Sequence, residues 1–499
     1  MADFWQLPRV TFQTTGATLR MTSKVMRGAF KAGQYAAARG AMQRSLRAAG
    51  RGVLGPGDGP PPPGCDVLDY RGLTPTGQLK LVTQGLPLGQ LVDVHSGILG
   101  RVELPLEVVL RHSCVIGPSG AGKTRSIMAP WIAALLASGI SVVTIDVKGD
   151  LLQEISAHVA RMGGSRLGVT GRIWDYSSHR SHRWNFLHEM MGERSVEAAV
   201  VSLLGRQKEN DPQPYFYQRD YRWLKGLLKL AVETHGSAAE PRHVLEALTD
   251  QDRLRRLVPL STAGIELRDL ESLDPGDYAR DVSGLLNVLS IFRQSNVMRS
   301  VSTSDFRLED VTNEPTLLIA VARLSDGRLG EQMSSLLVSQ FTLAILERFG
   351  RAMPRPVVLV LDEAPRLRQR IDLEETISIA RGAGAGVCLA AQDVTQFGTP
   401  EQQSTLFANC HTFISMYGAS PHTADYLGKR LGSRHKEEIS VTTPGKRGFL
   451  ELPSTSRQLT VSPVLGPREI MFPPFGKYSA VVHCPSVSSG PFIVDLEQV

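Results

Sequence analysis

The chain has 499 residues, of which 42% are hydrophobic and 21% are charged. This length exceeds one ordinary domain of about 100–200 residues, and the composition excludes a chain that is disordered throughout. Its five scattered cysteines contain no CxxC pair, which argues against a zinc site or a disulfide framework and favours a reducing cytoplasm.

The first part of the chain carries a one-sided positive charge. Of the 55 Lys and Arg residues, nine lie between Phe4 and Gly57 with no Asp or Glu, whereas the 442 residues from Asp58 onward hold 46 Lys and Arg against 48 Asp and Glu. We expect residues 1–53 to form a basic, partly helical arm, because Arg20, Lys24, Arg27 and Lys31 recur at helical spacing. Its partners would be DNA or an anionic membrane surface, unless it is only a solvated tail.

A Pro/Gly-rich linker is predicted at residues 54–64, because this composition suits neither a helix nor a central strand. Further on, the uncharged stretch Ser126–Ile145 is long enough to span a bilayer. It contains Pro130 and Gly139 and joins a phosphate-binding motif to an apolar run. We therefore predict a core helix followed by a core strand, and expect a cytoplasmic protein.

From Cys65 onward the pattern predicts an α/β fold with a mainly parallel central sheet. Short apolar runs bounded by turn residues predict buried strands, which are Ser113–Ile116, Val142–Ile145, Leu317–Ala322, Val357–Leu361, Val387–Ala391 and Thr412–Met416. Tyr478–Cys484 is predicted to be the last strand, and residues 434–463 to be polar and turn-rich. Helical spacing predicts an all-α insert at 195–301, which divides the nucleotide-binding domain into 65–194 and 302–499.

The motif with the clearest chemistry matches GxxxxGK[ST] and lies between a predicted strand and a predicted helix. In such a loop, glycines let backbone N–H groups surround phosphates, the lysine reaches the β- and γ-phosphates, and the threonine hydroxyl binds Mg²⁺. We therefore predict an ATP site of the P-loop (Walker A) type, formed by Gly117, Pro118, Ser119, Gly120, Ala121, Gly122, Lys123 and Thr124.

A second motif is the apolar run Val357–Leu361 followed by Asp362 and Glu363. This pattern is typical of a Walker B strand, in which Asp362 contributes to the Mg²⁺ site and Glu363 acts as general base towards the attacking water. The other interpretation is an acidic helix cap after an ordinary strand. It is less favoured because a P-loop lies upstream.

Two further polar residues are candidates for the catalytic site. Gln392 ends a predicted strand, where it either senses the γ-phosphate or caps a loop. Arg381 lies between Glu363 and Gln392; it either reaches the γ-phosphate of a neighbouring subunit or is a helix C-terminal arginine before a glycine cap. Arg323, after the strand Leu317–Ala322, is a weaker candidate for the same role as Arg381.

Together these residues resemble the coupling proteins of type IV secretion, the TraG/TraD-like conjugation ATPases. Thr144–Asp150 is similar to the family's D-P-K-G-[DE] segment with Val147 in place of Pro, and Arg183–Leu187 is similar to its N-P-L segment with Phe186 in place of Pro. The resemblance spans roughly residues 90–490. It continues through Leu361–Ala364, Arg381 and Gly382, Gln392 and Asp393, Gln396–Gly398 and Asn409.

The resemblance implies a RecA-like P-loop NTPase with an inserted all-α domain, acting as a hexameric ring that moves single- or double-stranded DNA. It also implies a relaxase, relaxosome or secretion-channel proteins as partners. Family members usually carry N-terminal transmembrane helices, and a basic arm takes their place here; we expect a cytoplasmic protein, peripheral at the inner face of the membrane. Two alternatives stay open: a FtsK/HerA-like translocase for chromosome processing or phage defence, and a nucleotide-gated adaptor that recruits protein cargo.

Overall fold

A computed structural model describes residues 85–93, 97–161, 169–208, 210–349, 355–442 and 454–496, together with two short strands near the start. These strands, β1 (Thr11–Thr14) and β2 (Ala17–Arg20), form an antiparallel pair. Arg20 therefore lies on a strand and not on the helix predicted for the arm. The rest of the arm, with Lys24, Arg27 and Lys31, and the linker at 54–64 lie outside the described residues.

Eleven of the described strands form one sheet, with seven parallel strands in the order β7-β8-β6-β9-β10-β5-β11. Beyond β11, the strands β14, β15, β3 and β4 continue the sheet in antiparallel fashion. The strands are β3 (Leu86–Asp93), β4 (Gly97–Leu104), β5 (Ser113–Ile116), β6 (Ser141–Asp146), β7 (Thr170–Asp175), β8 (Thr316–Val321), β9 (Val357–Leu361), β10 (Ala385–Ala391), β11 (Thr412–Met416), β14 (Ser479–His483) and β15 (Phe492–Asp495). The mainly parallel α/β sheet is confirmed.

Two expectations about the C-terminal part of the chain are wrong. The polar segment 434–463 forms two long strands, β12 (Ser433–Thr442) and β13 (Ser454–Pro463), which pair with each other in an antiparallel hairpin. In each strand, apolar and polar residues alternate over only four positions, Ile439–Thr442 and Leu459–Ser462, and almost all of the rest of the strand is polar. This alternation is too short to have predicted strands of ten residues. The segment Tyr478–Cys484 contains β14 but not the last strand, because β15 follows it.

One face of the sheet is covered by two helices, α1 (Ala129–Ala137) and α2 (Leu151–Arg161). A π-helical turn, Lys123–Met128, leads directly into α1. The uncharged stretch Ser126–Ile145 thus ends this turn, forms α1 and continues into β6, as predicted. Within the part of the chain that the structure describes, no helix combines the length and apolar character needed to cross a bilayer.

Between β7 and β8 the described residues form helices and turns and no strand. The helices are α3 (Glu193–Leu204), α4 (Pro214–His235), α5 (Pro241–Thr249), α6 (Gln251–Leu257), α7 (Gly264–Glu271), α8 (Pro275–Asp281), α9 (Ser283–Leu289), α10 (Ser295–Val301) and α11 (Leu308–Asn313). We call residues 193–313 the helical insert. Its buried side chains, among them Leu203, Trp223 and Leu285, belong to the same hydrophobic core as one face of the sheet. The boundaries of a separate domain at 195 and 301 stay a prediction.

The remaining helices follow β8, and several of them pack on the same face of the sheet as the insert. They are α12 (Gly327–Leu346), α13 (Leu373–Gly382), α14 (Pro400–Ala408), α15 (Pro421–Leu431) and α16 (Pro467–Met471). Because all seven parallel strands point the same way, their carboxyl ends form one edge of the sheet. In open α/β sheets this edge is where ligands bind.

Candidate nucleotide-binding site

The loop between β5 and α1 lies at the carboxyl edge of the sheet, between the ends of β10 and β11. Gly120 and Gly122 have φ angles of 77° and 92°, which L-residues with a side chain rarely adopt. Gly117 is required for a different reason, since a Cβ there would lie 2.8 Å from the Cβ of Met416. The glycines of the motif thus allow a tight turn at the start of a helix, where backbone N–H groups favour an anion.

Lys123 is folded back over this loop. Its Nζ donates to the carbonyl oxygen of Gly117 at 2.7 Å and to that of Pro118 at 3.4 Å, and the side chain is buried. Burial lowers the pKa of Lys123, and the carboxylates of Glu363 and Asp362 oppose this shift. The ammonium therefore lies against the loop that surrounds the β- and γ-phosphates in P-loop proteins.

Thr124 and Asp362, 238 positions apart in sequence, are joined by a hydrogen bond of 2.8 Å from Oγ1 of the threonine to Oδ2 of the aspartate. Both side chains are buried. Burial raises the pKa of Asp362, while the hydrogen bond from Thr124 and the charge of Lys148 lower it. A hydroxyl and a carboxylate in contact offer the hard oxygen ligands that Mg²⁺ prefers, so these two residues fit the predicted metal site.

Glu363 and Gln392 lie next to each other at the ends of β9 and β10. Nε2 of Gln392 donates to Oε1 of Glu363 at 3.2 Å. Glu363 has φ 56° and ψ 47°, a left-handed backbone conformation that turns the chain immediately after Asp362. The structure thus brings the predicted general base and the predicted sensor together with Lys123, Thr124 and Asp362.

Sequence reasoning from the motifs assigned no role to Asp146 and Lys148, at the end of β6. The buried carboxylate of Asp146 accepts three backbone hydrogen bonds, from Lys148 at 3.0 Å, Gly149 at 2.7 Å and Leu151 at 3.0 Å. This carboxylate therefore fixes the loop that follows β6. Only the strand order, which places β6 beside β9, brings this loop to the site.

Arg381 lies on the opposite edge of the sheet from Lys123. It is an exposed residue in the last turn of α13, just before β10 begins. Its charge contributes, after burial, to lowering the pKa of His112, which precedes β5, to about 4. Arg381 therefore cannot reach the phosphate loop of its own chain, and its role towards a neighbouring subunit stays a prediction.

Arg323 is already engaged within the chain. Its guanidinium makes a bidentate ion pair with Asp175, with distances of 2.8 and 3.1 Å, and donates to the hydroxyl of Ser177 at 2.6 Å. These bonds lower the pKa of Asp175 against the opposing effect of its burial. Arg323 thus ties β8 to β7, which makes it a poor candidate for the role considered for Arg381.

The sheet, the phosphate loop and the acidic pair define a P-loop NTPase of the RecA-like kind. A family model described as "Type IV secretory system Conjugative DNA transfer" matches residues 89–475. The chain belongs to this family.

Individual relatives agree with this assignment. The chain is similar to the conjugal transfer protein TraG of Escherichia coli, with 26% identity over 404 residues, which cover 74% of this chain and 63% of TraG. The chain thus spans less than two thirds of that relative's length.

The fold is similar to that of the bacterial conjugative coupling protein TrwBdeltaN70. The TM-score is 0.59 at 19% identity, over 82% of this chain and 89% of that one. The plasmid coupling protein TrwB in complex with ADP and Mg²⁺ gives the same TM-score, 0.59, at 20% identity, over 80% of this chain and 87% of the other.

Proposed function

We propose that this chain is an ATPase that drives DNA, or DNA with attached protein, through a ring of subunits, as a coupling ATPase of conjugative transfer. The observation that carries the proposal is the contact of Thr124 with Asp362, which places Glu363 beside the phosphate loop. The family supports DNA as the substrate, and the TraG relative supports a role in conjugal transfer. The complex of TrwB with ADP and Mg²⁺ supports ATP and Mg²⁺ as the nucleotide and metal.

The chemistry follows from the positions of the side chains. Lys123 and the loop N–H groups hold the β- and γ-phosphates, and Glu363 accepts a proton from the attacking water. The water oxygen bonds to the γ-phosphorus as the bond to the β–γ bridging oxygen breaks, so ADP and phosphate leave. Thr124 and Asp362 would hold Mg²⁺, which would supply positive charge against the phosphate oxygens.

The partners in this proposal are DNA, further copies of the chain, and a relaxase or channel protein that delivers the cargo. A basic total charge of the described core is not required for DNA binding, because a few Lys or Arg side chains in a channel suffice to contact phosphates. The same proposal places the chain at the cytoplasmic face of the cell membrane.

Two substitutions test the ATPase. Lys123→Ala is expected to weaken ATP binding and abolish turnover. Glu363→Gln is expected to keep nucleotide affinity and lose about 10²–10⁴-fold in kcat, the usual effect of losing a general base. The measurements are steady-state phosphate release and the affinity for a fluorescent ATP analogue, with the exposed Glu314→Gln as matched control. Turnover of Glu363→Gln at the rate of the parent protein would remove Glu363 from the mechanism.

Stimulation by DNA separates the translocase from the adaptor. A motor that moves DNA is expected to hydrolyse ATP several-fold faster when single- or double-stranded DNA is added, whereas a nucleotide-gated adaptor turns over slowly at the same rate with or without it. Repeating the titration at higher salt checks that DNA binding causes the effect, because phosphate contacts weaken as counterions compete.

A further inference from the structure

The loop after β6 emerges beside the catalytic acidic pair. Strands β6 and β9 are parallel neighbours, with Ile145 opposite Leu361 in the register. Asp146 and Asp362 directly follow these two residues. The chain therefore leaves both strands at the same edge of the sheet. Lys148 lies two residues after Asp146, and Glu363 lies one residue after Asp362.

The backbone of this loop is fixed on two sides. On one side, the three hydrogen bonds to the buried carboxylate of Asp146 hold it against the end of β6. On the other side, the backbone N–H of Leu324, next to Arg323, donates to the carbonyl oxygen of Val147 at 3.0 Å, and Gly149 has a φ angle of 88°. Arg323 is itself held by its ion pair with Asp175. A loop fixed in this way presents its side chains with little conformational freedom in the backbone.

The ammonium of Lys148 has no hydrogen bond or ion pair with any residue that the structure describes, although its charge acts on the site. It opposes the effect of burial on the pKa of Asp362, and it contributes to lowering the pKa of Lys123. Lys148 follows β6 and Lys123 follows β5, at the same edge of the sheet as Asp362 and Glu363. An anion with several oxygens, such as the terminal phosphate of a nucleotide, would accept from both.

We propose that Lys148 is a catalytic residue that contacts the γ-phosphate of the ATP bound to the phosphate loop of the same chain. This inference rests on the proposed ATPase function. In phosphoryl transfer, charge spreads over the equatorial oxygens of the transferred group, and a preorganised cation there stabilises the transition state. In this step Glu363 accepts the proton of the water, and Lys148 contributes only a contact to the phosphate oxygens.

The test compares Lys148→Met with Lys148→Arg, which keeps the charge. Lys148→Met is expected to lower kcat by about 10²–10³-fold, as for the loss of one preorganised donor, and Lys148→Arg to recover part of this loss. Lys148→Met is also expected to lose affinity for a fluorescent non-hydrolysable ATP analogue while binding fluorescent ADP with Mg²⁺ as before. Lys208→Met, which removes another exposed lysine on the loop after α3, is the matched control.

Other outcomes would contradict either the role of Lys148 or the proposed ATPase function. If Lys148→Met hydrolyses ATP within about twofold of the parent, or loses affinity equally for ADP and for the ATP analogue together with thermal stability, Lys148 is not a γ-phosphate ligand. If the parent protein itself hydrolyses no ATP, the proposed ATPase function fails. The comparison of ADP with the ATP analogue still decides whether Lys148 contacts the γ-phosphate.

Discussion

Glu363 shows how much one residue of the site depends on its backbone. A left-handed conformation at a residue with a side chain costs about 1–3 kcal/mol and persists only where the surrounding structure enforces it. Here it follows the buried strand β9 and places the carboxylate within reach of Gln392. Gln392 is fixed in turn, because Oε1 of Gln396 accepts from its backbone N–H at 2.9 Å. Gln392 thus orients Glu363, the predicted general base, and is itself held by Gln396.

We expect Gln392→Ala to lower kcat by about 10–100-fold with unchanged affinity for ATP, because a misplaced catalytic group loses rate without losing binding. Gln392→Glu gives a more specific result. A second carboxylate beside Glu363 raises the pKa of the base, and the base must be deprotonated to act. The acidic limb of the pH–rate profile is therefore expected to move to higher pH. Gln213→Ala, an exposed glutamine before α4, is the control, and a profile that does not move contradicts the assignment.

At the scale of elements, the segment after Walker B is joined to the helical insert by an arginine. Arg370 is buried, and its NH1 donates to the carbonyl oxygens of Ser202 at 2.9 Å and Leu203 at 2.8 Å, at the C-terminal end of α3. The backbone N–H of Arg206 donates to the carbonyl of Gln369 at 2.6 Å. A cation at a helix C-terminus satisfies carbonyl groups that have no partner within the helix. The insert is therefore fixed to the chain a few residues after Glu363.

Arg370→Met is expected to lower the free energy of unfolding by about 2–3 kcal/mol, because two buried carbonyl groups lose a charged donor. Arg206→Met serves as the control. It removes an ion pair with Asp372 whose side chains are 44% and 35% exposed, and exposed pairs of this kind contribute at most about 1 kcal/mol. Urea denaturation followed by tryptophan fluorescence measures both. Equal losses for the two variants would mean that the contact between Arg370 and α3 carries no special stability.

The elements that could be predicted from the sequence are those in which a single physical requirement determines the pattern of residues. Strands β5, β9 and β11 coincide with the predicted apolar runs, because a parallel strand covered on both faces needs a continuous run. Strand β4 (GILGRVEL) was not predicted, because it lies at the edge of the sheet and contains two glycines and two charged residues instead of a continuous apolar run. The phosphate loop and the acidic pair are contiguous motifs. The approach of Lys148 to Asp362 depends on the strand order, which no local pattern encodes.

For the whole molecule, the separation of Arg381 from Lys123 has a direct consequence. The two residues lie at opposite edges of one parallel sheet, so a subunit cannot complete its own site with this arginine. In a ring built by head-to-tail contacts, one edge of each subunit faces the other edge of the next. This arrangement is our proposal for the assembly, and Arg381 then lies near the nucleotide of a neighbour.

Arg381→Ala is expected to bind ATP nearly normally and to lose about 10³-fold in turnover, the lower range for an arginine supplied in trans. Mixing it with Glu363→Gln tests the arrangement. Each protein alone is expected to be nearly inactive. A mixed ring contains interfaces that pair an intact Glu363 with an intact Arg381, so partial activity should return. An inactive mixture, under conditions where labelled subunits exchange, would leave Arg381 as a helix C-terminal residue.

The position of β15 determines the order in which the sheet is completed during synthesis. This strand pairs with β14 on one side and with β3 on the other, and in the described sheet it alone connects the hairpin of β3 and β4 to the remaining strands. About 400 residues lie between β3 and β15 along the chain. The contact between β3 and β15 therefore closes a long loop, which is slow to form. Until it forms, the edge of the unpaired strand is exposed. During synthesis, β3 therefore cannot pair with β15 until translation has almost reached the last described strand. Co-translational folding can complete the parallel part of the sheet well before the antiparallel part.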